Sequence, residues 1–217
     1  MSRVHILVEG QTEETFVRDV LGPYFSYKNI FLIPKLATTK RVKSGPDFKG
    51  GITTYEKVKN DLVRLLRDSD VVCVTTMIDY YGLPDDFPGY QATSKTGIER
   101  VKFLEKKFHE DINNERFIPY FEVHEFEAML FVDPMETAAA LLDRPKADML
   151  LEIKKAFQSP EEINNDPATA PSKRLTNIFP KYQKALYGPL VTKRIGLDKI
   201  RFECAHFNEW LLKLEKF

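Results

Sequence analysis

Residues 4–8 form a short, largely apolar run that reads as a buried strand, and it stops abruptly at Glu9 and Gly10. A helical pattern follows at once. Over 12–24 the apolar positions Val17, Val20, Leu21 and Tyr24 share one face with Phe25. Thr12 is the expected N-cap, and Glu13 and Glu14 suit the positive end of that helix. The alternation then repeats. Residues 30–36 read as a strand, and 54–67 as an amphipathic helix burying Tyr55, Val58, Leu62, Leu65 and Leu66. The β-branched run at 71–78 reads as a central strand covered on both faces. A helix over 96–111 and a strand over 117–123 complete the series, the strand running into His124, Glu125, Phe126 and Glu127.

Strands alternating with helices predict an α/β fold, a mainly parallel sheet flanked by helices. After Pro134 the strand signal fades. Helices are predicted over 135–142, 148–157, 172–187 and 205–214, with a Pro- and Asn-containing linker over 159–171. The expected organisation is an α/β domain over 1–133 with an α-helical C-terminal region, 134–217, packed on it.

Charge adds one local feature. The chain has 217 residues, 29% of them charged, and a formal net charge of zero, so no overall field favours nucleic acid. Locally, Lys35, Lys40, Arg41, Lys43 and Lys49 face Asp47 alone in a stretch containing Ser44, Gly45 and Pro46. This reads as a flexible basic loop, solvated or available to phosphates. No run of about 18 apolar residues predicts a membrane span, and the N-terminus lacks the h-region of a signal peptide. Cys73 sits in an apolar run far from Cys204, so buried free thiols are expected, which points to the cytoplasm.

The chemistry lies at the strand ends. Glu9, Asp79 and Glu125 each follow a predicted strand, and in a parallel sheet the carboxyl ends of the strands form the ligand crevice. Taken singly, each acid reads equally as a cap or turn residue. Together they predict carboxylates converging on one rim, where they repel one another unless a cation lies between them. Hard oxygen donors of this kind suit Mg²⁺ or Mn²⁺. Glu13, one helical turn beyond Glu9, points back toward it, whereas Glu14 is explained by the helix dipole alone. If the third strand continues, Glu125 and Glu127 share a face and His124 lies on the other, as an orienting residue for Glu125 or a hydrogen-bonded core histidine. The basic residues Lys173, Arg174 and Arg194, interleaved with Phe179, Tyr182, Tyr187 and Trp210, are candidates for phosphate contact, although most aromatics at helical spacing are core.

The segment Val8-Glu9-Gly10-Gln11-Thr12-Glu13, followed by a strand ending in Asp79, resembles the Toprim domain. That is the metal-binding, Rossmann-like α/β module of topoisomerases, primases and the overcoming-lysogenization-defect (OLD) nucleases. The resemblance is closer to the Toprim-like family of the domain of unknown function 4276. It rests on that first segment, on Asp79-Tyr80-Tyr81-Gly82-Leu83-Pro84, on His124-Glu125-Phe126-Glu127-Ala128-Met129-Leu130-Phe131, and on Cys204-Ala205-His206-Phe207-Asn208-Glu209-Trp210. The resemblance implies a nuclease that hydrolyses phosphodiesters of DNA or RNA with Mg²⁺ or Mn²⁺, beside an ABC- or AAA-type ATPase partner in anti-phage defence. It implies Glu9 and Asp79 as principal metal ligands, with Glu13, Glu125 and Glu127 completing the shell. Lys40, Arg41 or Lys43 would neutralise the phosphate. Where the Toprim pattern is Asp-x-Asp, this chain has Tyr81 as the second residue, a poor ligand at neutral pH because a phenol titrates near pH 10. That departure supports an alternative, a non-cleaving interaction subunit that binds an ATPase partner or nucleic acid, and the same metal chemistry would also serve a nucleotidyl- or phosphoryl-transfer enzyme.

Overall fold

The computed structural model describes residues 1–38, 51–163, 166 and 168–217. Its sheet has five strands: β1 Ser2–Val8, β2 Ile30–Leu36, β3 Cys73–Asp79, β4 Phe117–Ile118 and β5 Phe121–Glu122. They run in the order β2-β1-β3-β4, with β5 also on β3, and every pairing among them is parallel. Among the described residues, ten α-helices join and cover them. Helix α1, Gln11–Phe16, passes through a π-type turn at Val17–Leu21 into α2, Gly22–Ser26. Then come α3 Tyr55–Leu66, α4 Gly97–Ile112, α5 Pro134–Ala140 and α6 Ala147–Lys155. The last four are α7 Pro171–Ile178, α8 Lys184–Ile195, α9 Leu197–Glu203 and α10 Ala205–Leu214. This is the α/β fold that the alternating pattern predicts. No described helix is long and apolar enough to cross a membrane.

Strand alternation sorts the core into two layers, because successive side chains point to opposite faces. Val4, Ile6 and Val8 of β1, with Cys73 and Met77 of β3, enter one cluster with α1, α8 and α10. Leu7, Val74 and Ile78 enter the other, with α3 and α4. Both strands are therefore covered on both faces, which is why they read as unbroken apolar runs. On the first face Trp210 is fully buried, stacks on Tyr120 at 4.3 Å and donates from its indole nitrogen to Thr75 Oγ1 at 2.9 Å. Such a stack contributes about 0.5–1.5 kcal/mol beyond the area it buries. Both cysteines are free and buried.

Three expectations are corrected. Thr12 is not the N-cap of the first helix; extended Gly10 holds that position and Thr12 is buried within the first turn. The single strand expected over 117–123 is two short pieces, because Pro119 has no N–H for the ladder. Thr76 bridges the gap: its hydroxyl donates to the Tyr120 carbonyl at 2.8 Å and accepts from the Tyr120 amide at 2.9 Å. The helix expected over 172–187 is broken between α7 and α8, where Pro180 disfavours the helical conformation of Phe179 before it.

The second break matters for the site. It turns the chain so that α8 starts at Lys184 and packs against α1. Close approach is possible because position 188 carries no side chain. A Cβ there would lie 2.9 Å from Thr12 Cγ2 and 3.0 Å from the Phe126 ring.

Candidate functional site

Asp79 ends β3, and its register on the strand puts it on the same face as Cys73, Thr75 and Met77, toward the C-terminal helices. Glu9 follows β1, the adjacent strand. The Asp79 amide donates to Glu9 Oε2 at 3.2 Å, tying the two strand ends together. Glu13 sits in the first turn of α1 and is buried, pointing back at the turn; a Cβ on Gly10 would stand 3.3 Å from its Oε2. Glu127 reaches the same place from a short 3₁₀ helix, Phe126–Phe131. That helix is anchored by the Phe126 amide, which donates to Asp79 Oδ1 at 2.9 Å.

Three of these acids surround one ammonium. Lys184, the first residue of α8, donates to Asp79 Oδ2 at 3.0 Å and lies 3.2 Å from Glu127 Oε2 and 3.6 Å from Glu13 Oε1. Glu13 Oε1 lies beyond hydrogen-bond reach of the ammonium and Glu127 Oε2 is off its donor axis, so both buried oxygens lack a hydrogen bond. Tyr182 donates to the other Glu127 oxygen at 3.3 Å.

Four carboxylates against one ammonium leave the cluster short of positive charge, and the titration behaviour reflects this. Burial, then the charges of Asp79 and Glu13, push Glu9 up to about 8 even against Lys184. Burial likewise raises Glu13, and with Asp79 and Glu125 it raises Glu127 to about 7. Burial works against the charge on Lys184, but Asp79, Glu127 and Glu13 outweigh it and hold the ammonium well above its ordinary pKa.

Mg²⁺ and Mn²⁺ are the ions to test against this arrangement. The donor chemistry fits them, since every ligand offered is a carboxylate oxygen and the cluster lacks countercharge. Among the described residues no three His, Cys, Asp or Glu side chains are already grouped to hold a metal ion. The ammonium of Lys184 lies among the acids.

The remaining sequence candidates lie elsewhere. The expected alternation of Glu125 and Glu127 on a continuing strand is corrected, since the strand ends at Glu122 and both acids belong to the following turn. Glu125 is turned to the start of α7, accepting from the Ser172 amide at 2.8 Å and the Ser172 hydroxyl at 2.9 Å. His124 is buried with Nδ1 unpartnered, and burial lowers it to about 4. Arg174 donates to the Thr169 carbonyl at 2.6 Å beside the Phe157 ring, and its neighbour Lys173 is exposed on α7. Arg194 pairs with Glu136 at 3.2 Å in the last turn of α8, about 15 Å along that helix from Lys184. Lys40, Arg41 and Lys43 lie outside the described residues.

Sequence reading missed Lys184, which lies 105 positions after Asp79 with no local signal linking them. It also missed Glu122, which sits opposite Asp79 in the sheet, buried, with an unpartnered Oε1. The acid at the third strand end is therefore Glu122, not Glu125.

No curated protein matches the chain. Among solved structures it is similar to S. aureus homoserine dehydrogenase, at 12% identity and a TM-score of 0.29. That match covers 77% of this chain and 45% of the dehydrogenase, and a likeness of this size carries no argument about fold or activity. A family model is more informative: the domain of unknown function DUF4276 matches residues 8–215, and the chain belongs to that family.

Proposed function

We propose that the chain is a metal-dependent nuclease, related to Toprim domains, whose active site is the carboxylate cluster at the carboxyl ends of β1 and β3. The observation that carries this reading is the meeting of Glu13, Asp79 and Glu127, from separate parts of the chain, around Lys184, with Glu9 tied to them by the Asp79 amide. A fold gains nothing in stability by crowding buried acids that raise one another's pKa, and perturbed groups of this kind concentrate at functional sites.

Glu9, Asp79 and Glu13 would hold Mg²⁺ or Mn²⁺. When bound, the ion supplies charge neutralisation and lowers the pKa of a water that attacks a phosphodiester. Glu9 is the least buried of the cluster acids and would accept a proton from that water. Lys184, partly exposed, offers its ammonium to a non-bridging phosphate oxygen, where charge builds during the reaction. Asp79 keeps the 3₁₀ turn in place through the Phe126 amide, so Glu127 stays beside Lys184. The Toprim resemblance supports nucleic acid as substrate and an ABC- or AAA-type ATPase as partner in phage defence.

With Mn²⁺ the purified protein is expected to nick plasmid or cleave single-stranded DNA or RNA, and Asp79→Ala to lose about 10²–10³-fold of that rate. Equal cleavage by both proteins would remove this site from consideration.

A second reading has its own support, because Lys184 already supplies a cation among the acids and Tyr81 stands where Toprim domains carry an aspartate. On that reading the chain is a non-cleaving interaction subunit. Calorimetric titration with Mn²⁺ separates the two: heat that Asp79→Ala abolishes supports the nuclease, and no heat supports the subunit.

A further inference from the structure

A cavity of about 450 Å³ lies between the end of α5 and the segment joining α7 to α8. Leu141, Leu142, Phe179, Tyr182, Tyr187 and Lys146 are among the residues that line it. Its size falls in the range of ligand sites.

The walls point to one kind of occupant. The rings of Tyr182 and Tyr187 stack 6.2 Å apart with their planes 26° from parallel, and the Lys146 ammonium lies 5.3 Å over the Phe179 ring. Aromatic faces beside cations receive the bases of single-stranded nucleic acids. The rim is suited to phosphate. Lys146 is shared with Asp143 at 2.8 Å, but Lys181 is exposed and has no ion-pair partner among the described residues. At the lip Leu142 is 90% exposed with a φ of 58°, an apolar side chain held outward by a backbone conformation that leucine rarely adopts.

The cavity also adjoins the carboxylate cluster. Tyr182 walls it with its ring and, through its hydroxyl, touches Glu127, which faces Lys184. We infer that this cavity takes one unpaired base of a nucleic-acid strand whose backbone crosses the carboxylate cluster. The substrate is then single-stranded, or splayed open, at the nucleotide beside the reacting phosphate. This rests on the nuclease reading for the path of the backbone, but the pocket can be tested without cleavage.

The test is fluorescence anisotropy in EDTA with a labelled ten-nucleotide oligothymidylate and a blunt duplex of equal length. The single strand is expected to bind at least about tenfold more tightly than the duplex. Tyr187→Ala should weaken single-strand binding roughly tenfold, and Tyr187→Phe, which keeps the stacking face, should restore it. Lys181→Glu, at an exposed position that folding does not need, should weaken it several-fold and so carries the test if Tyr187→Ala misfolds. Equal binding of strand and duplex, or wild-type binding by both Tyr187→Ala and Lys181→Glu, would overturn the inference. If that happened in a protein that still cleaves with Mn²⁺, the nuclease would stand without the base pocket. Binding that Tyr187→Ala abolishes, in a protein that cleaves nothing, would keep the pocket and remove the nuclease.

Discussion

Two groups of buried acids lie within one small fold, and they are treated in opposite ways. Under α10, Glu161 accepts from the His206 and Phe207 amides at 3.0 and 2.9 Å, capping the helix start. Nearby, Glu105 accepts from the Phe121 amide at 3.0 Å and shares a contact with the His206 ring at 3.1 Å. Each of these acids has its own donors. At the strand ends, three acids share a single ammonium with Glu9 beside them, and two of their buried oxygens have no hydrogen bond. Burial alone therefore does not mark a functional acid. What distinguishes the rim is a shortage of donors relative to acceptors, which the fold tolerates where something else is to bind.

That contrast can be broken by substitution. The largest stability effect belongs to the well-satisfied acid. Glu161→Ala leaves two buried amides without acceptors and should cost about 2 kcal/mol in chemical denaturation, with metal-dependent cleavage unchanged. Glu127→Gln should act with the opposite sign in metal-free protein. The folded carboxyl titrates at about 7, above its ordinary 4.5, so its charge weighs against the fold increasingly as pH rises through that window. At pH 8 the substitution should stabilise by about 1 kcal/mol, and that gain should shrink as pH falls from about 7 and vanish only below about 4.5. A loss of stability at pH 8 would mean that the rim acids are as well satisfied as Glu161. The smallest effect tests an acid at the edge of the fold. Glu215 accepts from Tyr24 at 2.7 Å and from Arg201 at 2.6 Å, and though burial works the other way, these partners hold it below its ordinary pKa. Its contribution, under about 1 kcal/mol, should be present above the unfolded pKa and fade as pH falls through the lower folded value. Glu215→Gln and wild type should then converge in acid melts.

The sequence made one side of the rim legible and hid the other. Glu9, Glu13 and Asp79 were readable because each stands where an apolar run gives way to a turn or helix start, a signal contained within a few residues. The sheet itself followed from the same runs, since β1 and β3 are buried on both faces and carry little polar interruption. Lys184 could not be found that way, because its role comes from where α8 is directed. Pro180 did carry a signal, as the residue before a proline avoids the helical region, and it would have divided the predicted helix at the right place. Pro119 offered the same warning for the strand over 117–123. Glu125 and Glu127 diverged for a tertiary reason: Ser172, at the start of α7, supplies donors for one and not the other.

The bare backbone at position 188 has a consequence for how this chemistry can be moved or varied. With the turn between helices fixed by Pro180, the depth at which α8 seats against Thr12 and Phe126 sets how far Lys184 extends, and that depth is measured by a missing methyl group one turn along. Copying the acidic strand ends onto another scaffold would therefore bring the anions without the cation that faces them. The transferable unit is larger than any contiguous motif, because the spacing between two helices is itself part of the site.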